Sequence, residues 1–253
     1  SILEMAKAAK DMGYEYIGIS DHTKFLRIEK GLDEKQLLEQ NTEITKLNKK
    51  LRDSGFGLYI LHGCEANIMP DGSIDIKDEV LSRLDYVIAG VHSSLKMEKD
   101  RMTERIVVAM KNPNVDIISH PTGRLINRRD EYQLDFDKIL RVAKETKTIL
   151  EINSSPSRLD LNAYNIRRAK DEGVLMIINT DSHHKDQLRY MELGVAQARR
   201  GLVEKERSPR ASSPSWARTS TTSRPAQVPR PSSSRRILPT TRRSATCTAI
   251  RLR

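Results

Sequence analysis

The chain has 253 residues, with 44 Lys and Arg against 34 Asp and Glu, a net charge of +10. Such a balance ordinarily points to a nucleic acid or a membrane surface. Here it does not, because from Arg207 onward there are eleven Arg and no Lys, Asp or Glu, which leaves residues 1–206 near neutral.

Two cysteines, Cys64 and Cys247, exclude a disulfide framework and a thiolate zinc site. No apolar run reaches the ~18 residues of a membrane span, and no charged-then-apolar segment opens the chain, so a reducing cytoplasm is the expected compartment.

In chain order, helical periodicity alternates with short β-branched runs. Ile2, Met5, Ala6 and Ala9 share one helix face, Gly13 stops it, and "YEYIGIS" reads as a strand. Leu37, Ile44, Leu47 and Leu51 mark a long helix before the strand "FGLYILHG". A short helix over 80–84 precedes "YVIAGVH", and "MTERIVVAM" precedes "VDIISH". A helix over 136–146 leads to "TILEINSS", and Asn162 caps a helix that Gly173 ends before "VLMIIN".

The six strands are apolar throughout rather than alternating, as in a parallel sheet buried on both faces. The fold class is therefore α/β, and a closed barrel is favoured over an open doubly wound sheet by where the polar residues fall. From Arg207 onward, 34 of 47 residues are Arg, Ser, Pro or Thr, without periodicity. That composition predicts disorder. An RNA-binding role would want interleaved aromatics, which it lacks.

Five of the six strands end in a metal-ligand type: His22 after Asp21, then Glu65, His92, His120, and Asp181 with His183. The sixth, "TILEIN", offers only Glu151 and Asn153. In a parallel barrel all strand C-termini open on one face, so such residues converge. The intervals support this: 27 residues from Glu65 to His92, 28 to His120, and 61, about two βα units, to Asp181.

Imidazole and carboxylate without thiolate suit Zn²⁺, Mn²⁺ or Fe²⁺. Six ligands exceed the need of one tetrahedral zinc, so a multinuclear site is expected. It would lower the pKa of bound water and clamp phosphoryl oxygens, and metal-activated water would replace a Ser or Cys nucleophile. Of the remaining candidates, His62 is read as structural, His184 as solvent-facing, and Cys64 as a small core residue. Asp21 is expected to point away and orient a neighbour. Arg124 in "SHPTGR", with Asn153 and Arg158 in "EINSSPSRLDLN", are the expected substrate contacts, the guanidinium groups forking onto phosphate.

The motifs "SDH", "GCE", "GVHSS", "SHPTGR" and "NTDSHH" resemble, in order, those of the PHP (polymerase and histidinol phosphatase) superfamily. The blocks "MTERIVVAMKNPNVDIISHPTGRL" and "EINSSPSRLDLN" are similar to the C-terminal PHP domain of bacterial and archaeal family X DNA polymerases. The resemblance covers about residues 1–201 and implies a distorted (βα)7 TIM-like barrel with two or three Mn²⁺, Zn²⁺ or Fe²⁺ ions. It also implies phosphoesterase activity, commonly a 3′–5′ exonuclease acting on DNA 3′ ends in repair. His22, Glu65, His92, His120, Asp181 and His183 match its ligands.

Family members begin with a His-x-His strand and an Asp ligand, preceded by polymerase domains, none of which the chain contains. An N-terminally truncated PHP domain at 1–201, with an incomplete catalytic centre, is therefore expected. Family members also continue past "QARRG" with Trp and a lysine-rich helix. One choice of codons for "LVEKERS", read one base later, gives Trp-Ser-Lys-Arg-Asn-Val, so residues 202–253 are expected to be a disordered, out-of-frame tail. The alternatives are a free-standing phosphatase on a small phosphomonoester, a non-catalytic structural PHP module, and a metal-free α/β scaffold.

Overall fold

The computed structural model describes residues 1–26, 30–203 and, for the backbone alone, 247–248. Six parallel strands form one sheet: β1 (Tyr16–His22), β2 (Tyr59–Asn67), β3 (Tyr86–Gly90), β4 (Ile117–Ile118), β5 (Ile149–Asn153) and β6 (Met176–Asn179). Their spatial order follows the chain, and a two-residue strand β7 (Cys247–Thr248) pairs antiparallel with β1 at Gly18 and Ile19. The rest of the expected tail lies outside the described residues beyond Val203. No described helix is long and apolar enough to cross a membrane.

Helix α1 (Ile2–Asp11) precedes β1, and the helices that cross between strands are α2 (Glu34–Asp53), α3 (Asp78–Leu81), α4 (Lys99–Met110), α5 (Phe136–Thr146) and α6 (Ala163–Asp171). Their ends follow side-chain chemistry. Asp33 and Gln36 form a reciprocal capping box on α2, and Asp135 and Asn162 accept the Lys138 and Asn165 amides at the starts of α5 and α6. The sequence did not signal a 3-10 helix at Lys185–Tyr190 or the following α7 (Met191–Arg200).

Six parallel strands are present where seven were expected of the intact barrel, and the sheet is open among the described residues. It nevertheless curls into a half-barrel. Leu61, Tyr86, Ile88, Ile117, Ile149 and Ile177, from five neighbouring strands, make one apolar cluster against which Tyr16 of β1 packs. Along each strand the residues two places further on point the same way, so this cluster is the floor beneath Glu65 and Asp181. The larger cores lie outside, between sheet and helices, around Ile17, Ile19 and Ile60 and around Val87, Ala89 and Ile118. Burying each such side chain stabilises the fold by about 1.5–3 kcal/mol.

Asp21 and His62 meet on this outer side. The His62 Nε2–H donates to Gln40 Oε1 at 2.8 Å, and Gln40 Nε2 donates to Asp21 Oδ2 at 2.6 Å. Burial pushes the His62 imidazole down to about 4. Its folded pKa is thus depressed: below pH ~6.5 the unfolded chain takes up a proton that the folded chain refuses. The stability is present above pH ~6.5 and is lost as pH falls towards 4. His62→Gln is expected to reduce the loss between pH 7 and 4.5 by about 2 kcal/mol, read from urea unfolding at the two pH values.

Candidate metal centre

The C-terminal ends of the strands open onto a cavity of about 260 Å³, lined by all six expected ligands together with Arg158 and Leu26. Glu65 is its hub. Glu65 Oε1 lies 3.2 Å from His92 Nε2 and 3.2 Å from His120 Nε2, and Oε2 lies 3.6 Å from His22 Nδ1. The rings of His22 and His92, and of His92 and His120, are 5.2 Å apart, and His183 stands 6.3 Å from His22 at the exposed mouth. Donor atoms of His22, Glu65 and His92 lie within 4.8 Å of one another, close enough to share one ion.

Gly90 makes this crowding possible. A Cβ there would collide with Ser119 Oγ and stand 2.9 Å from His92 Cε1 and 3.1 Å from His120 Cε1.

The hydrogen bonds prepare the imidazoles for a cation. Asn67 Nδ2 donates to Thr23 Oγ1 and to the Asp75 carboxylate, both at 2.9 Å, which turns Asn67 Oδ1 towards His92 Nδ1 at 2.8 Å. His92 Nδ1 therefore carries a proton, and Nε2 faces a carboxylate oxygen. Two acceptors at 3.2 Å repel unless a cation or proton lies between them. His183 Nδ1 likewise bonds the Asp181 carbonyl at 3.1 Å, leaving Nε2 free. Buried His22 Nδ1 and His120 Nδ1 have no hydrogen-bond partner.

Charge tells the same story. Burial alone would raise the Glu65 carboxyl, but His22, His120 and His92 hold it well below the ordinary carboxylate value. Burial pushes His120 down to about 3, so it is a neutral imidazole with a lone pair to offer. Asp181 is raised by burial and then by Glu65, and Glu151 is raised to about 8 by burial, Asp181 and Glu65. Buried Glu65 thus raises two neighbours, buried Glu151 and partly buried Asp181, a crowding of carboxyl groups that a divalent cation would relieve. The donor set fits the metals that the sequence implies.

The three expected substrate contacts separate. Arg158 lines the cavity, with Nε 3.6 Å from Asp181 Oδ2 and Nη1 buried without a partner. Arg124 does not line it: its Nε donates to the Arg158 carbonyl at 2.8 Å and its Nη2 to the Leu159 carbonyl, so its fork is consumed in bracing the loop that carries Arg158. Asn153 is not on the cavity wall either. Its Nδ2 donates to Asp181 Oδ2 at 3.1 Å and to Glu151 Oε2 at 3.2 Å, and its Oδ1 accepts the Ser155 amide at 3.0 Å. It orients Asp181, a candidate ligand, and does not face the cavity.

His184 is exposed and caps the 3-10 helix, accepting the Asp186 amide at 3.4 Å. Cys64 is buried on the helix side of β2, where burial pushes its thiol up. Sequence reasoning missed Asn67, Asp75 and Ser119, and named Glu151 only as a residue its strand end offers. For Asn67 a signal existed, since it stands two residues after Glu65 and so on the same face of β2. Ser119 donates to Glu65 Oε1 at 3.0 Å.

Residues 1–155 match the PHP domain family. The chain is 42% identical over 204 residues to the DNA polymerase/3'-5' exonuclease PolX of Bacillus subtilis, covering 81% of this chain and 35% of that protein. It thus spans about a third of that relative's length. A protein of Acetivibrio thermocellus named "Probable phosphatase" is 31% identical over 192 residues, 72% of this chain and 73% of that one. Among solved structures, the histidinol phosphate phosphatase of Lactococcus lactis, complexed with zinc, L-histidinol and phosphate, superimposes with a TM-score of 0.54 at 16% identity. It covers 79% of this chain and 86% of that chain. With the family matched over more than half its length, this chain belongs to the PHP domain family.

Proposed function

We propose that the chain is a metal-dependent phosphoesterase domain of the kind found in family X DNA polymerases, releasing nucleotides from DNA 3′ ends in the cytoplasm. On this reading the half-barrel is the larger part of a distorted (βα)7 barrel. His22, Glu65, His92, His120, Asp181 and His183 hold Mn²⁺ or Zn²⁺, two or three ions in the intact domain. Bound there, such ions supply a hydrolytic water of lowered pKa and neutralise phosphoryl oxygens.

The remaining work falls to this chain's own groups. Arg158 forks onto the non-bridging oxygens and carries part of the charge that develops in displacement. Asn67 and Asn153 hold His92 and Asp181 in register, and Leu26 covers one side of the site. Arg158 carries the proposal: its Nη1 is buried and unpartnered in the wall of a cavity whose other polar lining is ligand types. An unpaired buried guanidinium N–H is costly unless an anion completes it.

A second reading, hydrolysis of a small phosphomonoester, draws support from the size of the cavity, about 260 Å³, and from the phosphatases among the relatives. One experiment separates the two. The chain is incubated with Mn²⁺ and either a 3′-labelled oligodeoxynucleotide or histidinol phosphate, with His120→Ala alongside. Nucleotide release that needs both Mn²⁺ and His120 is the expected result. Faster turnover of the phosphomonoester would install the second reading, and metal binding without turnover of either would reduce the domain to a structural module.

A further inference from the structure

Glu151 lies beneath the site and outside the lining of its cavity, yet its carboxyl group touches both halves of the candidate ligand set. Its Oε2 accepts the His120 main-chain amide at 2.6 Å and Asn153 Nδ2 at 3.2 Å, and its Oε1 accepts Asn179 Nδ2 at 2.8 Å. Asn153 passes the contact on to Asp181 Oδ2. All three side chains are 3% exposed or less.

The backbone explains why such a brace is needed. His120 has φ +29° and Asp181 φ +51°, the left-handed region that costs a residue with a Cβ of order 1–3 kcal/mol. The turn at His120 lets two successive residues, Ser119 and His120, both face Glu65, which regular strand alternation forbids. It also takes the His120 amide out of the sheet ladder, and Glu151 is what receives it.

We propose that Glu151 is a positioning residue whose reach, rather than its charge, holds His120 and, through Asn153, Asp181 in metal-binding geometry. The inference rests on the metal-centre reading above for its consequence, but not for the brace itself.

Two near-isosteric variants separate reach from charge. Glu151→Asp keeps the carboxyl group and withdraws it by one methylene. Glu151→Gln keeps the reach: its oxygen can take over Oε2's two donors. Its NH₂ then meets Asn179, whose Oδ1 is buried without a partner and can accept after an amide flip. Hydrogen exchange of the His120 amide is measured in the metal-free full chain, and Mn²⁺ affinity by calorimetry.

Glu151→Asp is expected to speed His120 exchange at least about tenfold and weaken Mn²⁺ about 10–100-fold, while Glu151→Gln stays within about threefold of wild type in both. Wild-type behaviour of the Asp variant, or loss in the Gln variant, overturns the proposal. If the wild-type chain bound no Mn²⁺, the metal reading would fall, and the exchange rates alone would still decide whether Glu151 is the brace. Asp85→Asn, which disturbs the carboxylate bonded to the His62 amide at the far end of the sheet, is the control for general destabilisation.

Discussion

Glu65→Gln is expected to remove Mn²⁺ binding, weakening it by at least about 100-fold, or roughly 2.7 kcal/mol. Three imidazoles converge on this one carboxylate, so no other single replacement touches as many candidate ligands. The amide that replaces it would donate towards the His92 Nε2 lone pair and consume it. The metal-free fold should lose some stability as well. Glu65 pushes the Glu151 and Asp181 carboxyl groups up, but His22, His120 and His92 hold its own carboxyl well below the ordinary value, so its charge is net favourable there. Thermal melts read both effects. At Mn²⁺ concentrations 100 times the Kd, the wild type should gain about 2.7 kcal/mol from binding, and Glu65→Gln almost nothing. A variant that melts lower without metal but still responds to it would make Glu65 structural.

Arg158→Met should do the reverse, keeping the metal and losing turnover. Methionine retains much of the aliphatic stem and removes the fork. The expected loss is about 10²–10³-fold in kcat/KM, the range seen when one preorganised donor to a developing anion is deleted. Arg158→Lys should recover little of it, since an ammonium cannot make the planar two-pronged contact. Arg124→Met is the informative comparison. Its guanidinium holds the Arg158 and Leu159 carbonyls, so its loss loosens the loop instead of removing the contact. The expectation is a higher KM with kcat less affected. Equal damage from both variants, with metal affinity intact, would place Arg124 in the substrate's path.

The strands and the six ligand positions were legible because both obey simple periodicities. Parallel strand ends share one mouth, so these positions fall together, although Asp181 and His183 stand beyond the end of β6 at Asn179, on a turn where Asp181 has φ +51°. What escaped depends on where loops carry their side chains. Arg124 follows His120 by four residues and has the right chemistry, but the turn after Gly123 directs it onto the backbone at 158–159. Asn153 ends a strand as the ligands do, yet its amide is claimed by Asp181 and Glu151. "VDIISH" reads as a six-residue strand, but only Ile117–Ile118 are strand, because the chain leaves the ladder to turn His120 inward. The 3-10 helix begins on a His184 cap, a residue type that gives little helix-start signal, and α7 follows it from Tyr190 with no side-chain cap.

The central claim is that the strand ends assemble a divalent-metal centre around Glu65. Crystals of the chain grown with Mn²⁺, with anomalous differences recorded at the manganese edge, test it most directly. The expected result is an anomalous peak about 2.0–2.3 Å from side-chain donors of Glu65, His22 and His92. A map with no peak in the cavity, or with manganese held only at surface carboxylates elsewhere, would contradict it.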